Sequence, residues 1–195
     1  GQDQLRFTGE SAFGLIEYNV FDDVVADKTN NAEPHPDAIQ SFSRGGHTPH
    51  DITIRRNHLQ EEPTGDTFRQ GIFLADGAAE GYRNIVIEEN LIATGSPNAI
   101  VVASAPDGNV VVQNNTIMGW TPGSAGGFVI VASDMDSNTR GTLVADNVAT
   151  GVRILDAGAT TRGNFALSRD RSDPNSPSQL FENDADGQTW QGFVP

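Results

Sequence analysis

Cysteine is absent, so no disulfide closes this fold and the redox compartment stays open. No run of about 18 apolar residues occurs, so no helix can span a membrane. Basic residues are scarce: twelve Lys and Arg stand against twenty-six Asp and Glu, a net charge of −14. That balance argues against general nucleic-acid binding and disfavours anionic membranes and other polyanions. Hydrophobic residues make up only 36%, whereas Gly reaches 21. Such a composition suits many short strands and turns better than helices. The numbered chain does not open on a basic and then apolar leader; a removed signal, excision from a longer protein, or no signal at all would each fit. With 195 residues, one domain with a continuous core is expected.

What the chain does contain is a repeat. Six short stretches share the form aliphatic-x-x-Asn: Ile16 to Asn19, Ile54 to Asn57, Ile87 to Asn90, Val112 to Asn115, Val144 to Asn147, and a degraded copy from Thr161 to Asn164. Ile52, Ile85 and Val110 add an apolar residue two positions earlier. Three strands of about five residues with short turns occupy roughly 20–25 residues. The step from Asn90 to Asn115 is therefore one clean coil, and the longer steps are coils with loop insertions.

A second set of strands alternates with the first: 37–41, 70–74, 98–102 and 127–131. Alternation places Ile39, Ile72, Ile100 and Val129 in one inward column, and Ser41, Leu74, Val102 and Val131 in the next. Stacked identical positions are what a coil requires when no rung can bury its own apolar face. The asparagines are expected to take the left-handed backbone of a tight corner and to bond to the asparagine of the adjacent rung. The fold class expected is all-β: a right-handed parallel β-helix, or solenoid, of about six rungs.

Residues 13–165, and above all the I-x-I-x-x-N pattern of Ile52 to Asn57 and Ile85 to Asn90, resemble the pectate-lyase-like superfamily of right-handed parallel β-helices. Lyases, epimerases, glycosidases, phage spikes and adhesins share that fold, so the resemblance implies an architecture and not a function. It also implies a secreted or extracellular setting, a virion surface included. Residues 1–168 are expected to form the β-helix. Gly1 to Ser11 show no repeat and no capping helix, which points to an excised segment or to a partner covering that end. From position 168 the residues are turn-formers, and 169–195 are expected to be an irregular tail packed on the last rung.

Chemistry is sought first where the charge is unusual. All four histidines, His35, His47, His50 and His58, fall between positions 35 and 58 with Arg44, Arg55 and Arg56. The only acids there are Asp37 and Asp51, so the window carries +1 while the rest of the chain carries −15. It is the natural dock for an anionic ligand. The string from Glu33 to Gln40 resembles the Asp-Pro-His motif of mannuronan epimerases, with Glu33 in place of the first acid. That resemblance implies abstraction of the C5 proton of a uronate, with a cation neutralising the adjacent carboxylate. His35, Asp37, Arg55 and His58 are the expected catalytic residues: a histidine as base and Arg55 as carboxylate clamp. Gln40, Arg44, His47, His50, Arg56 and Phe73 are expected to line the substrate. The plainer reading is structural: Asp37 caps a turn, Gln40 bonds to a neighbouring rung, and Arg55 and Arg56 pair with Glu88 and Glu89.

Calcium is the one cofactor the sequence suggests. Asp134 to Asp136 and Asn183 to Gly187 alternate oxygen ligands, as does the start of a calcium loop, but the distal bidentate Glu is missing and a solvated turn explains both. Two functions are expected. One is a module acting on an acidic polysaccharide as lyase or C5-epimerase; the other is a non-catalytic spike or adhesin that binds surface glycans. Finally, Gln40, Phe73, Val101 and Ile130 should face outward, with Phe42, Ala75, Ala103 and Ala132 two residues on. Seven of these eight are apolar, so something should cover them. The chain's own loop or tail would serve, and so would a homotrimer packed about a three-fold axis.

Overall fold

The computed structural model describes residues 3–22, 36–61, 70–75, 81–103, 105, 109–119, 127–131, 140–155, 158–183 and 190–193. Six successive passes of the chain each lay down three short strands. They are β1 (Leu5–Thr8), β2 (Ala12–Glu17) and β3 (Val20–Phe21); β4 (Asp37–Phe42), β5 (His50–Arg55) and β6 (His58–Gln60); and β7 (Gln70–Leu74), β8 (Arg83–Glu88) and β9 (Leu91–Ala93). The remaining passes are β10 (Asn98–Val102), β11 (Val110–Gln113) and β12 (Thr116–Met118); β13 (Phe128–Val131), β14 (Thr142–Ala145) and β15 (Val148–Ala149); and β16 (Gly151–Ile154), β17 (Thr160–Arg162) and β18 (Phe165–Ala166). Every strand pairs in parallel with the strand one pass away. Three six-stranded sheets result: sheet A from β1 to β16, sheet B from β2 to β17, and sheet C from β3 to β18. The molecule is a parallel β-solenoid of six coils.

Alternation within each strand decides which side chains enter the core, and identical spacing in every pass stacks them. Ile54, Ile87, Val112 and Val144 are register partners in sheet B and are fully buried. So are Ile39, Ile72, Ile100 and Val129 in sheet A, and beside them Ser41, Leu74, Val102 and Val131. Apart from Ser41, each column places a branched aliphatic chain on another, so the interior is built from stacked apolar side chains. Ile92 and Ile117 of sheet C complete the same core cluster.

The corner between sheets B and C always has two residues, the second an asparagine. The left-handed conformation falls on the residue before the asparagine: Tyr18, Arg56, Glu89, Asn114, Asp146 and Gly163 have φ between 54° and 63°. This corrects the expectation that the asparagine itself bends the chain. With its backbone free of that task, each asparagine side chain points along the axis. The backbone N and Nδ2 of Asn57 both donate to Asn90 Oδ1 at 3.0 Å. Asn90 does the same to Asn115, Asn115 to Asn147 and Asn147 to Asn164. Each Nδ2 also donates backward, as from Asn90 to Ile54 O at 3.0 Å. Asn57, Asn90, Asn115 and Asn147 are buried, and these bonds offset the desolvation that burial of an amide demands.

The outward column of sheet A runs Arg6, Gln40, Phe73, Val101, Ile130 and Arg153. Although it points away from the core, Val101 is only 9% exposed, and Ala75 and Ala103 are buried too. Gln40, Phe73 and Ile130 of the same column, and Phe42 beside it, are half-buried. Ala132 and Trp120 lie outside the described residues. Beyond β18 the chain forms turns, a short helix α1 (Pro177–Leu180), and β19 (Phe181–Asn183) paired antiparallel with β20 (Trp190–Phe193). Leu167 and Phe181 cluster with Ala93 and Met118, while the alternate residues Ile92 and Ile117 belong to the core. The described tail therefore lies against the outer face of sheet C. No described helix is long and apolar enough to cross a membrane.

Ile87→Ala should cost about 2–5 kcal/mol in urea unfolding, because neighbours above and below hold the cavity open. A loss under about 0.5 kcal/mol would show that this column is not core.

Candidate functional site

The basic window spans most of one coil, and the coil distributes it. Asp37 opens β4 on sheet A, Arg55 ends β5 on sheet B, and His58 opens β6 on sheet C. His35 lies outside the described residues, as does Glu33. Asp37, Arg55 and His58 thus stand on three different sheets, each with its own neighbours.

Most cations of the window face a carboxylate on an adjacent coil or turn. Arg55 Nε donates to Glu17 Oε2 at 2.9 Å, one coil earlier, while Glu88 is its register partner one coil later. Arg56 Nε donates to Glu89 at 2.6 Å, and its NH1 donates to the Tyr18 hydroxyl at 2.7 Å. His47 Nε2 lies 3.3 Å from Glu10. Arg44 and His47 close a small turn by exchanging backbone bonds of 3.0 and 3.2 Å. His50 Nδ1 contacts Asp51 Oδ2, and Asn84 Nδ2 donates to Asp51 Oδ1 at 2.9 Å. The bond from His50 holds the Asp51 carboxyl below the usual carboxylate range, with Asn84 assisting. Phe13 meets the His50 ring edge-on at 6.1 Å. Burial lowers the pKa of His58, and its Nε2 is enclosed without a hydrogen-bond partner among the described residues.

A second polar column lies at the start of the sheet A strands. Asp37 N donates to Asp3 Oδ1 at 3.1 Å, and Gln70 N donates to Asp37 Oδ1 at 3.1 Å. Asp37 is fully buried, and the Asp3 side chain is almost so. Burial, reinforced by the neighbouring Asp3 carboxylate, pushes the Asp37 pKa up to about 7. Arg6 Nε donates to Asp3 at 2.8 Å and partly offsets the pair. Further along the same strands, Gln40 and Phe73 lie half-buried on the outer face of sheet A, with Phe42 in the next column under the Arg6 guanidinium at 5.5 Å.

Several of these residues carry no mark in the sequence. Asp3 and Arg6 precede the recognisable repeat, and only the pairing of β1 with β4 brings them to Asp37. Glu61 is buried, accepting from Thr94 Oγ1 at 2.6 Å and from Gly95 N at 2.5 Å, so it anchors a corner one coil away. Tyr82 is buried with its hydroxyl 2.6 Å from Ser41 O and from Ala75 O, tying two coils together. Asp134 to Asp136 and Asp184 to Gly187 lie outside the described residues. Among the described residues, no group of three or more His, Asp or Glu side chains is arranged to hold a metal. No protein-family model, curated protein or solved structure matches the chain. Its function is therefore argued from these sites alone.

Asp37 should leave a signature in the pH dependence of stability. Its folded pKa of about 7 lies above the ordinary 3.8, so between these values the folded protein holds a proton that the unfolded chain releases. Stability contributed here is greatest at low pH and is lost as pH rises through about 7. Asp37→Asn should melt higher than the wild type at pH 8, with the gap closing toward about pH 5. A gap that does not change with pH would show that Asp37 does not titrate in this window.

Proposed function

We propose that this chain is a glycan-binding module on a right-handed parallel β-helix of the pectate-lyase-like type, acting outside the cell or on a virion surface and binding without cleaving. Sterics support the handedness, because crossovers between parallel strands of one sheet are right-handed in about 98% of cases. The recurring I-x-I-x-x-N motif, with its asparagines stacked at a two-residue corner, supports the kinship.

One observation carries the non-catalytic reading: the cations expected to clamp a uronate already face carboxylates. Glu17, Glu89 and Asp51 engage Arg55, Arg56 and His50, so the basic window offers little net field to a polyanion. A neutral or weakly acidic sugar suits the half-exposed end of sheet A better. There the half-buried Gln40 and Phe73 stand side by side in the outward column, an amide for sugar hydroxyls beside an apolar ring.

Cleavage or epimerisation of an acidic (uronate) polysaccharide has one observation in its favour, a carboxyl pushed up to about 7 at Asp37, within the range of a general acid or base. One set of measurements separates the two readings. Calorimetry against a panel of neutral and acidic polysaccharides should find a binder whose affinity falls about tenfold or more in Phe73→Ala and Gln40→Ala, a loss of about 1.4 kcal/mol, with little change in melting temperature. Ultraviolet absorbance should show no unsaturated product. Turnover that Asp37→Asn abolishes would establish the enzyme instead, and absence of binding across the panel would end the glycan reading.

A further inference from the structure

Both ends of the coil stack are open among the described residues. At the foot, Leu5, Phe7 and Ile16 occupy inward columns yet are only partly buried against the core, while Val20 begins an outward column of sheet C and is 64% exposed. At the top, a cavity of about 410 Å³ opens between Gly151, Val152, Ile154, Thr161, Asn164 and Phe165. Phe165 is 42% exposed there. The described tail does not close this end, since Leu167 and Phe181 pack beside Ala93 and Met118, three and two coils back. Each end also presents the unpaired edges of three parallel sheets, which are templates for further strands.

We propose that copies of this chain stack head to tail, the β16–β18 coil of one on the β1–β3 coil of the next, so that all three sheets continue across the junction. The two ends complement each other, and neither complements itself. In the asparagine ladder, donors point toward the later coil and Oδ1 acceptors toward the earlier one. Asn164 has its Nδ2 on Val144 O but no further asparagine to donate to, while Asn19 is the one rung whose Oδ1 receives no earlier asparagine. Asn19 Nδ2 donates to Glu17 O of its own coil, where later rungs reach back to the coil before. Stacking supplies each with its missing partner.

The columns agree with the ladder. Leu5 shares a column with Val152, Phe7 with Ile154 and Val20 with Phe165, so apolar side chains meet at each of these positions. Glu17, already bonded to Arg55 of its own chain, stands at the foot of the column that Arg162 ends at the top, and the junction adds this second cation to it. Arg6 and Arg153 share a column and oppose it. Asp3 holds the first, and the second stacks on Phe128 with its guanidinium carbon 3.8 Å from the ring centroid, so both cations are drawn off the junction. A contact between two different surfaces of identical chains does not close on itself, so the assembly is a series of growing length.

Two one-ended variants test this. Val20→Asp spoils the foot and Phe165→Asp the top, both at exposed positions, with circular dichroism to verify the fold. In sedimentation velocity the wild type should form a concentration-dependent series beyond the dimer, and each variant alone should remain monomeric. Their mixture retains one good junction and should stop at a 1:1 dimer. Arg162→Glu should weaken association about tenfold or more, and Glu17→Arg added to it should recover part of that loss, the remainder reflecting the lost Glu17–Arg55 pair. The charge pair still decides the matter should either aspartate variant fail to fold. A wild type that stays monomeric at the highest attainable concentration overturns the proposal. So does an association that neither variant set alters, which would place it on another surface.

Discussion

The backbone hydrogen bonds of a parallel coil point along the stacking axis, so a single coil satisfies none of them from its own atoms. Within the strands, every backbone group looks to the coil before or after it. The rest of the structure follows from that dependence. Apolar positions must recur at equal places in each pass, because a column is buried only when its neighbours are also apolar. The buried asparagine amides obey the same rule, each bridging the coils on either side. Stability is accordingly shared between neighbouring coils and resembles a sum over interfaces more than the property of one compact core.

The same dependence organises the charges. A chain of net charge −14 repels itself, and Arg55 and Arg56 sit where the coil spacing brings carboxylates beside them. Glu17, Arg55 and Glu88 occupy successive rungs of one column, and Arg56 and Glu89 adjoin in the next. Exposed pairs of this kind contribute little each, typically under about 1 kcal/mol. Their larger effect is to remove a cationic patch that the linear sequence suggests. The buried acids Asp3 and Asp37 show the opposite situation, two carboxyls one coil apart, and burial with the Asp3 charge pushes the Asp37 pKa up to about 7.

How much of this was legible in the sequence depended on whether a feature repeats. The inward columns of sheets A and B were readable because alternation and spacing recur in four or more passes. The role of the asparagines was half readable: their ladder followed from recurrence, but the bend did not. Tyr18, Arg56, Glu89, Asn114, Asp146 and Gly163 take the left-handed conformation and share no chemistry that a pattern could flag. The site was least legible. His47, Arg55 and His58 are close along the chain, but one coil spreads such neighbours over different sheets. Their real neighbours lie a whole coil away, as Glu17 does from Arg55 and Asp3 from Asp37.

The corner between sheets B and C keeps two residues in all six coils, whereas the other two corners range from one residue, Thr150, to fifteen, 22–36. A seam of fixed length works as a ruler. Whatever is inserted elsewhere, the chain re-enters the stack at the same height and in the same register. Such a molecule can lengthen or shorten by whole turns: removing the stretch from Asn57 to Glu89 would join one seam to the next with every column still aligned. Its loops and its length are therefore separate variables, and natural variation can alter either without disturbing the other.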